Sequence, residues 1–291
     1  MRTEQPPVLE SSVPPRQTVR RAAVLGSPVG QSLTPVMHRA ALAAMGLDWS
    51  YQSIECDETE LSDVLATPGA GLAGLSIGMP LKRAVLPLID EVSDLALDVG
   101  GANTVVYRGG RSYGDNTDVY AMLTALQEAG VGSPGSAVVL GAGSTACSAL
   151  AALRELGVLE PSVVVREQSR AAEATAAAGR LGIAVDVHTF GELHQLLPGA
   201  GLVISTLPAG AADPFATAVM HTRAAVFDVV GSAWPTRLAK AAGFAGATVV
   251  DGLSFVVHQA ARQLELMTGR SDVPIQVMRR AAHAELLQRA D

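Results

Sequence analysis

Short β-branched runs alternate along the chain with Ala- and Leu-rich stretches whose apolar positions recur at helical spacing. RRAAVLG (20–26), WSYQSIEC (49–56) and GLAGLSIG (71–78) read as strands. TPVMHRAALAAMG (34–46) and ETELSDVLA (58–66) read as helices, the first with Thr34 at its N-cap and Pro35 at the first helical position. A helix is expected over 80–90 and a second, short one over 91–98. ANTVVYRGGRSYGDN (102–116) has the composition of a hairpin turning at Gly109-Gly110.

The alternation restarts at Val119. Helices are expected at 119–130, 145–156 and 169–181, and strands at 136–143, 162–167, 185–190, 202–208, 224–230 and 247–252. Strands separated by helix-length segments imply right-handed crossovers and a parallel sheet. Two helices, 253–269 and 273–289, close the chain. The pattern predicts an α/β protein in which residues 20–118 form one α/β domain and 119–253 a second, Rossmann-like one. Residues 254–291 are expected to return to the first.

Composition narrows the function. The chain has 291 residues, enough for two modest cores, with 48% hydrophobic and 17% charged residues. Its net charge of −7, without a basic cluster, argues against nucleic-acid binding. Residues 129–153 carry no charge, but GAGST interrupts the run, which reads as strand, turn and buried helix and not as a membrane span. The first 19 residues are polar and Pro-rich, have no apolar signal-peptide core, and read as a disordered tail. Cys56 and Cys147 have no metal-ligand spacing, so reduced thiols, a cytoplasmic protein and no metal site are expected.

SAVVLGAGSTACSA places Gly141, Gly143 and Ala146 in a G-x-G-x-x-A arrangement between a strand and a helix. Gly141 permits the tight turn, Gly143 lets backbone approach a pyrophosphate, and the helix start at Ser144 and Thr145 offers N–H groups to the anion. At the tip of the next strand, VVVREQSRA supplies Arg166 and Arg170. Arginine there suits the 2′-phosphate of NADP, while Glu167 between them would repel it and leaves NAD possible. The first domain and the last helices are then left for substrate. Ser32 and Thr34, two apart in an extended loop, can present both hydroxyls to one side. Lys82 follows a strand end, and Asn-Thr pairs stand at 103–104 and 116–117. With Lys82 they form a polar set suited to a small polyol acid.

This order of motifs resembles the shikimate dehydrogenase family from Arg20 to Leu287. Ser32-Leu33-Thr34-Pro35 is similar to its Ser-x-Ser-Pro loop, Pro80-Leu81-Lys82 to its Pro-x-Lys motif, and Gly101-Ala102-Asn103-Thr104 to its Gly-Ala-x-Asn-Thr motif. Asn116-Thr117-Asp118, Gly141-Ala142-Gly143, Gly252-Leu253 and Gln259-Ala260 follow in the family's order. The resemblance implies Lys82 and Asp118 as catalytic pair, Ser32 and Thr34 on the substrate carboxylate, and Asn103 and Gln259 on ring hydroxyls. It implies a cofactor site of Gly141, Ala142, Gly143, Ser144, Thr145, Arg166, Arg170 and Gly252. The implied reaction is NADP-linked, reversible reduction of 3-dehydroshikimate to shikimate in aromatic amino acid and chorismate biosynthesis, by a monomer or homodimer. A lysine suits the chemistry, because a developing alkoxide needs a proton donor and a nearby positive charge.

Several positions depart from the family pattern. Gly78 stands where the family has a substrate-contacting Thr, Ser76 for Asn, Gly231 for Tyr, Gln31 for His, and Phe255-Val256 for Met-Leu. Losing a buried hydrogen bond to a polar substrate costs roughly 1–3 kcal/mol. Two further readings therefore stand beside the first. One is a relative acting on quinate or an aminated analogue, with extra room at Gly78 and Gly231; Thr34 in place of the second Ser favours quinate. The other is a non-catalytic nucleotide-binding relative.

Overall fold

The computed structural model describes residues 20–66, 71–231 and 234–290, so the segment read as a disordered tail lies outside the described residues. In chain order, the first sheet takes β1 (Arg20–Gly26), β2 (Trp49–Glu55), β3 (Leu72–Ile77), β4 (Glu91–Val92), β5 (Thr104–Arg108) and β6 (Arg111–Asp115). Helices α1 (Thr34–Ala44), α2 (Leu61–Ala66) and α3 (Asp94–Val99) lie between them. The spatial order is β2-β1-β3-β5-β6-β4. β1 runs parallel to β2 and β3, while β5 runs antiparallel to β3 and β6. The first sheet is therefore mixed and not wholly parallel: β5 enters against β3, and the hairpin turning at Gly109-Gly110 brings β6 back to the direction of β3.

Two expectations between β3 and α3 are corrected. Residues 80–90 form successive turns and a short 3-10 helix at Leu86–Leu88 instead of an α-helix. Pro87 lacks an N–H and disfavours α geometry at Leu86, so helix cannot propagate through it. Residues 91–98 are not all helical: Glu91 and Val92 pair in parallel with Tyr113 and Gly114. Helix α3 starts only after Ser93, whose side chain caps it by accepting from the Ala96 N–H.

After α4 (Asp118–Glu128) the second sheet is built from β7 (Ala137–Leu140), β8 (Ser162–Val165), β9 (Asp186–Thr189), β10 (Leu202–Ser205), β11 (Ala225–Asp228) and β12 (Val249–Val250). Helices α5 (Ser144–Glu155), α6 (Ala172–Leu181), α7 (Leu193–Leu196), α8 (Ala216–Val219) and α9 (Arg237–Phe244) make the crossovers. All strands are parallel, in the order β12-β11-β10-β7-β8-β9. This is the doubly wound dinucleotide-binding order, whose switch point lies between β7 and β10.

The chain then turns back. Helices α10 (Gly252–Thr268) and α11 (Ile275–Ala290) pack against α1. Val257, Leu264 and Met278 share an apolar cluster with Val24, Met37 and Leu42. A separate cluster joins α4 and α5 to the second sheet through Met122, Leu150 and Val139. The two cores leave a cleft along the carboxyl ends of β1, β3 and β7.

Candidate active site

Lys82 and Asp118 face each other at the floor of the cleft. Lys82 is held by the chain leaving β3: the Leu81 N–H donates to the Gly78 carbonyl, and the Ala102 N–H donates to the Lys82 carbonyl. Asp118 is the first residue of α4, where the helix dipole favours an anion. Lys82 Nζ lies 2.5 Å from Asp118 Oδ2, with Lys82 only 8% exposed and Asp118 fully buried. The pair is compensated charge for charge, which a buried lysine requires.

The other carboxylate oxygen is also occupied. Asp118 Oδ1 accepts from Asn103 Nδ2 at 2.7 Å and from Gln259 Nε2. Asn103 in turn donates to Thr117 Oγ1 and accepts from the Thr117 N–H and the Thr104 hydroxyl. Asn116 Oδ1 accepts from the Asp118 N–H, and Asn116 Nδ2 donates to the Gly101 carbonyl. Both Asn-Thr pairs are thus spent around Asp118, Asn103 on its carboxylate and Asn116 on its backbone. Asn103 is fully buried behind Asp118 and does not line the cavity beside Lys82.

That cavity, of about 270 Å³, is lined on its polar side by Ser32, Thr34, Lys82 and Gln259, joined by Ser76 and Gln263. Helix α1 begins at Thr34 itself, one residue earlier than the sequence implies, with Leu33 at the N-cap and no side chain capping it. The Thr34 hydroxyl is therefore not used as a cap; instead Ser32 Oγ accepts from the Thr34 N–H at 3.2 Å. Gln263 is a site residue that sequence reading did not single out, and Ser76 figured there only as a departure from the family's Asn. Tyr51 donates to Ser76 Oγ, Ser76 donates to Gln263 Oε1, and Gln263 Nε2 donates to the Asn103 carbonyl. The spacing of Gln263, four residues after Gln259 on α10, is the signal that marks it, since i and i+4 share a helix face.

Gly78, Gly231 and Val256 form the bare wall. Neither glycine leaves the open room expected of it. A Cβ on Gly78 would stand 3.0 Å from the Leu25 carbonyl oxygen, and one on Gly231 would stand 2.9 Å from Val256 Cγ2. The Val256 side chain closes the wall at Gly231.

A second cavity, of about 720 Å³, opens at the switch point and is lined by Gly141, Ala142, Gly143, Arg166, Ser169, Arg170 and Glu173 among others. Its residues fit a dinucleotide. Gly141 has φ +103°, and a Cβ there would strike Thr206 Oγ1 at the end of β10. At Gly143 a Cβ would meet nothing within 4 Å, so the backbone before α5 is open to a phosphate. Arg166 and Arg170 are exposed and make no ion pair among the described residues. Glu167, the expected obstacle to a phosphate, is not among the lining residues. Ser144, Thr145 and Gly252 do not line the cavity either. Ser144 Oγ is buried without a partner among the described residues and lies against Gly101 of the first domain. Gly252 packs so tightly on the Val229–Val230 backbone that any Cβ would collide with it.

A doubly wound sheet with a Gly-rich turn at its switch point, set across a cleft from a buried lysine–carboxylate pair, defines a two-domain, dinucleotide-dependent oxidoreductase. Residues 24–105 match the family model of the shikimate dehydrogenase substrate binding domain, and residues 252–283 that of the shikimate 5′-dehydrogenase C-terminal domain. The shikimate dehydrogenase (NADP(+)) of Trichormus variabilis is 34% identical over 90% of this chain and 96% of its own length. The crystal structure of Mycobacterium tuberculosis shikimate dehydrogenase is 38% identical, with a TM-score of 0.82 over 91% of this chain and 99% of that one. A quinate dehydrogenase from Corynebacterium glutamicum in complex with NAD is 30% identical, with a TM-score of 0.83 over 91% and 99% of the two chains. The chain belongs to the shikimate dehydrogenase family, whose members are oxidoreductases acting on a CH–OH group. No helix among the described residues is long and apolar enough to cross a membrane.

Proposed function

We propose that the protein catalyses the NADP-linked, reversible reduction of 3-dehydroshikimate to shikimate, a step of aromatic amino acid biosynthesis, in the cytoplasm. The observation that carries this reading is the Lys82–Asp118 pair, 2.5 Å apart at the edge of a cavity lined by Ser32, Thr34 and Gln259. The nicotinamide cofactor, when bound, supplies or accepts the hydride. Lys82 donates a proton to the ketone oxygen during reduction and retrieves it during oxidation. Its positive charge stabilises the developing alkoxide in a site shielded from bulk water. Asp118, fixed by Asn103 and Gln259, aims Nζ at the reacting oxygen. Ser32 and Thr34 hold the substrate carboxylate, and the second N–H of Gln259 serves a ring hydroxyl. Gly141–Gly143 receive the pyrophosphate, with Arg166, Ser169 and Arg170 around the 2′-phosphate.

Quinate is the second reading, favoured by Thr34 in place of the family's second Ser. Nicotinamide absorbance with shikimate and quinate, each with NADP and NAD, separates the two. Turnover of shikimate with NADP supports the first. Turnover of quinate alone replaces it with the second. Cofactor binding without turnover of either leaves a non-catalytic nucleotide-binding relative.

A further inference from the structure

Glu173 presents a problem to the proposed cofactor site. It stands three residues after Arg170, in the first turn of α6, and lines the same cavity as Arg166, Ser169 and Arg170. A carboxylate there would repel a 2′-phosphate. At i, i+3 spacing it could also draw the Arg170 guanidinium away from the ligand. The structure answers this from the other domain. Arg83, the residue next to Lys82, reaches across the cleft and pairs with Glu173. The same seam holds a second bond, from Arg180 Nε to the Asp98 carbonyl at 2.9 Å. Arg83, Glu173 and Arg180 together line the interdomain hollow behind the cofactor cavity.

We propose that Arg83 is a specificity-determining residue for the cofactor: by pairing with Glu173 it masks the one carboxylate that lines the cofactor cavity and leaves Arg170 free for the ligand. This rests on the reading of Arg166, Ser169 and Arg170 as a 2′-phosphate site. It adds that the discrimination is shared between domains. A residue covalently adjacent to the catalytic lysine then determines which dinucleotide binds. Both side chains of the pair are about half exposed, with a relative exposure of 46% each, so the pair itself contributes little stability and its effect is on the electrostatics of the site.

The test uses binding, so that an indirect effect on Lys82 does not enter. Calorimetry with 2′,5′-ADP and with 5′-AMP, at low salt, compares the wild type with Arg83→Ala, Glu173→Gln and the double variant. Arg83→Ala should weaken 2′,5′-ADP about five- to tenfold, the scale expected of an unmasked charge near a dianion, and leave 5′-AMP unchanged. Glu173→Gln should bind 2′,5′-ADP at least as tightly as the wild type, and the double variant should regain wild-type affinity. High salt should shrink the Arg83→Ala defect. Were the ion pair only a latch between domains, Arg83→Ala and Glu173→Gln would weaken binding alike, and that result overturns the proposal. So does an Arg83→Ala variant with undiminished 2′,5′-ADP affinity. A wild type that binds 5′-AMP as tightly as 2′,5′-ADP would instead refute the 2′-phosphate site, and the masking role with it.

Discussion

The cofactor cavity draws its lining from the carboxyl end of one parallel sheet: Gly141–Gly143 after β7, the Val165–Glu173 stretch after β8, and Leu207–Ala211 after β10. The substrate cavity takes single residues from distant places: Ser32 and Thr34 after β1, Ser76 to Lys82 around the end of β3, and Gln259 and Gln263 from α10. The first offers a ligand backbone and exposed arginines, where contributions are separate and each is modest. The second depends on a buried charge pair whose partners are all committed to one another. Damage should therefore be graded in the cofactor cavity and abrupt in the substrate cavity.

Lys82→Ala gives the largest expected effect. It removes the proposed proton donor and strands Asp118 without its counter-ion. A fall in kcat of at least about 100-fold is expected, with cofactor affinity nearly unchanged. Steady-state kinetics alongside NADP titration by fluorescence checks both halves. Near-normal kcat would remove Lys82 from the chemistry, and a parallel loss of NADP binding would erase the contrast between the cavities.

The contrast also explains what could be read in advance. The Gly141-x-Gly143 turn and the Arg166 strand tip are contiguous motifs, and the alternation of β and α segments carries its own period, so the second domain follows its predicted order closely. The substrate side carries less local signal. Glu91–Val92 is too short to show a strand period, and Pro87 stops a helix that the apolar pattern alone would allow. The Ser76–Gln263 bond joins residues 187 apart in sequence, and the Arg83–Glu173 pair crosses between domains. Such contacts depend on how α10 and α6 dock, which no local pattern encodes. Family motifs imply ring-hydroxyl roles for Asn103 and Gln259, whereas in the fold both amides turn onto Asp118.

The next effect falls on the frame of the substrate cavity. His38 of α1 bonds the Ala260 carbonyl of α10 at 2.8 Å and packs edge-on to Tyr51. Burial lowers its pKa to about 4 from 6.5, with the Ala260 bond opposing that shift. The folded state thus keeps His38 neutral, while the unfolded chain takes up a proton below pH 6.5. This stabilisation is complete above pH 6.5 and is lost as pH falls toward about 4. By pH 5 the loss should reach about 2 kcal/mol. Urea unfolding of the wild type and His38→Gln at pH 7.5 and pH 5 measures it. The variant should lose less stability than the wild type on acidification, and equal losses would acquit His38.

A smaller effect is expected on the cofactor side. Arg166→Ala removes one charged contact from an open site in which Ser169 and Arg170 remain. NADP affinity should fall about tenfold, in the range of one charge-assisted hydrogen bond, while NAD affinity stays within about twofold. Equal losses for both cofactors would show that Arg166 does not read the 2′-phosphate. A collapse of binding altogether would contradict the graded behaviour expected of this cavity.

The smallest effect probes the bare wall, where the two regions meet. Gly231 follows β11 of the second sheet, and Val256 sits on α10, the helix that carries Gln259 to the cavity beside Lys82. A Cβ at Gly231 would stand 2.9 Å from Val256 Cγ2, and a β-branched side chain on a packed helix has little freedom to retreat. Gly231→Ala should therefore cost about 1 kcal/mol, near the lower end of overpacking penalties, because this wall opens on a cavity. Val256→Ala removes the obstructing methyl groups, so the double variant should lose less than the sum of the two single losses. Thermal unfolding of the four proteins measures that coupling. If the losses simply add, Val256 does not close the wall, and Gly231 is open space available to a larger substrate. If they couple, the wall is a packed surface in which Val256 takes the volume that a side chain at 231 would occupy. In that case the missing hydroxyl, and not added room, distinguishes this pocket from those of its relatives.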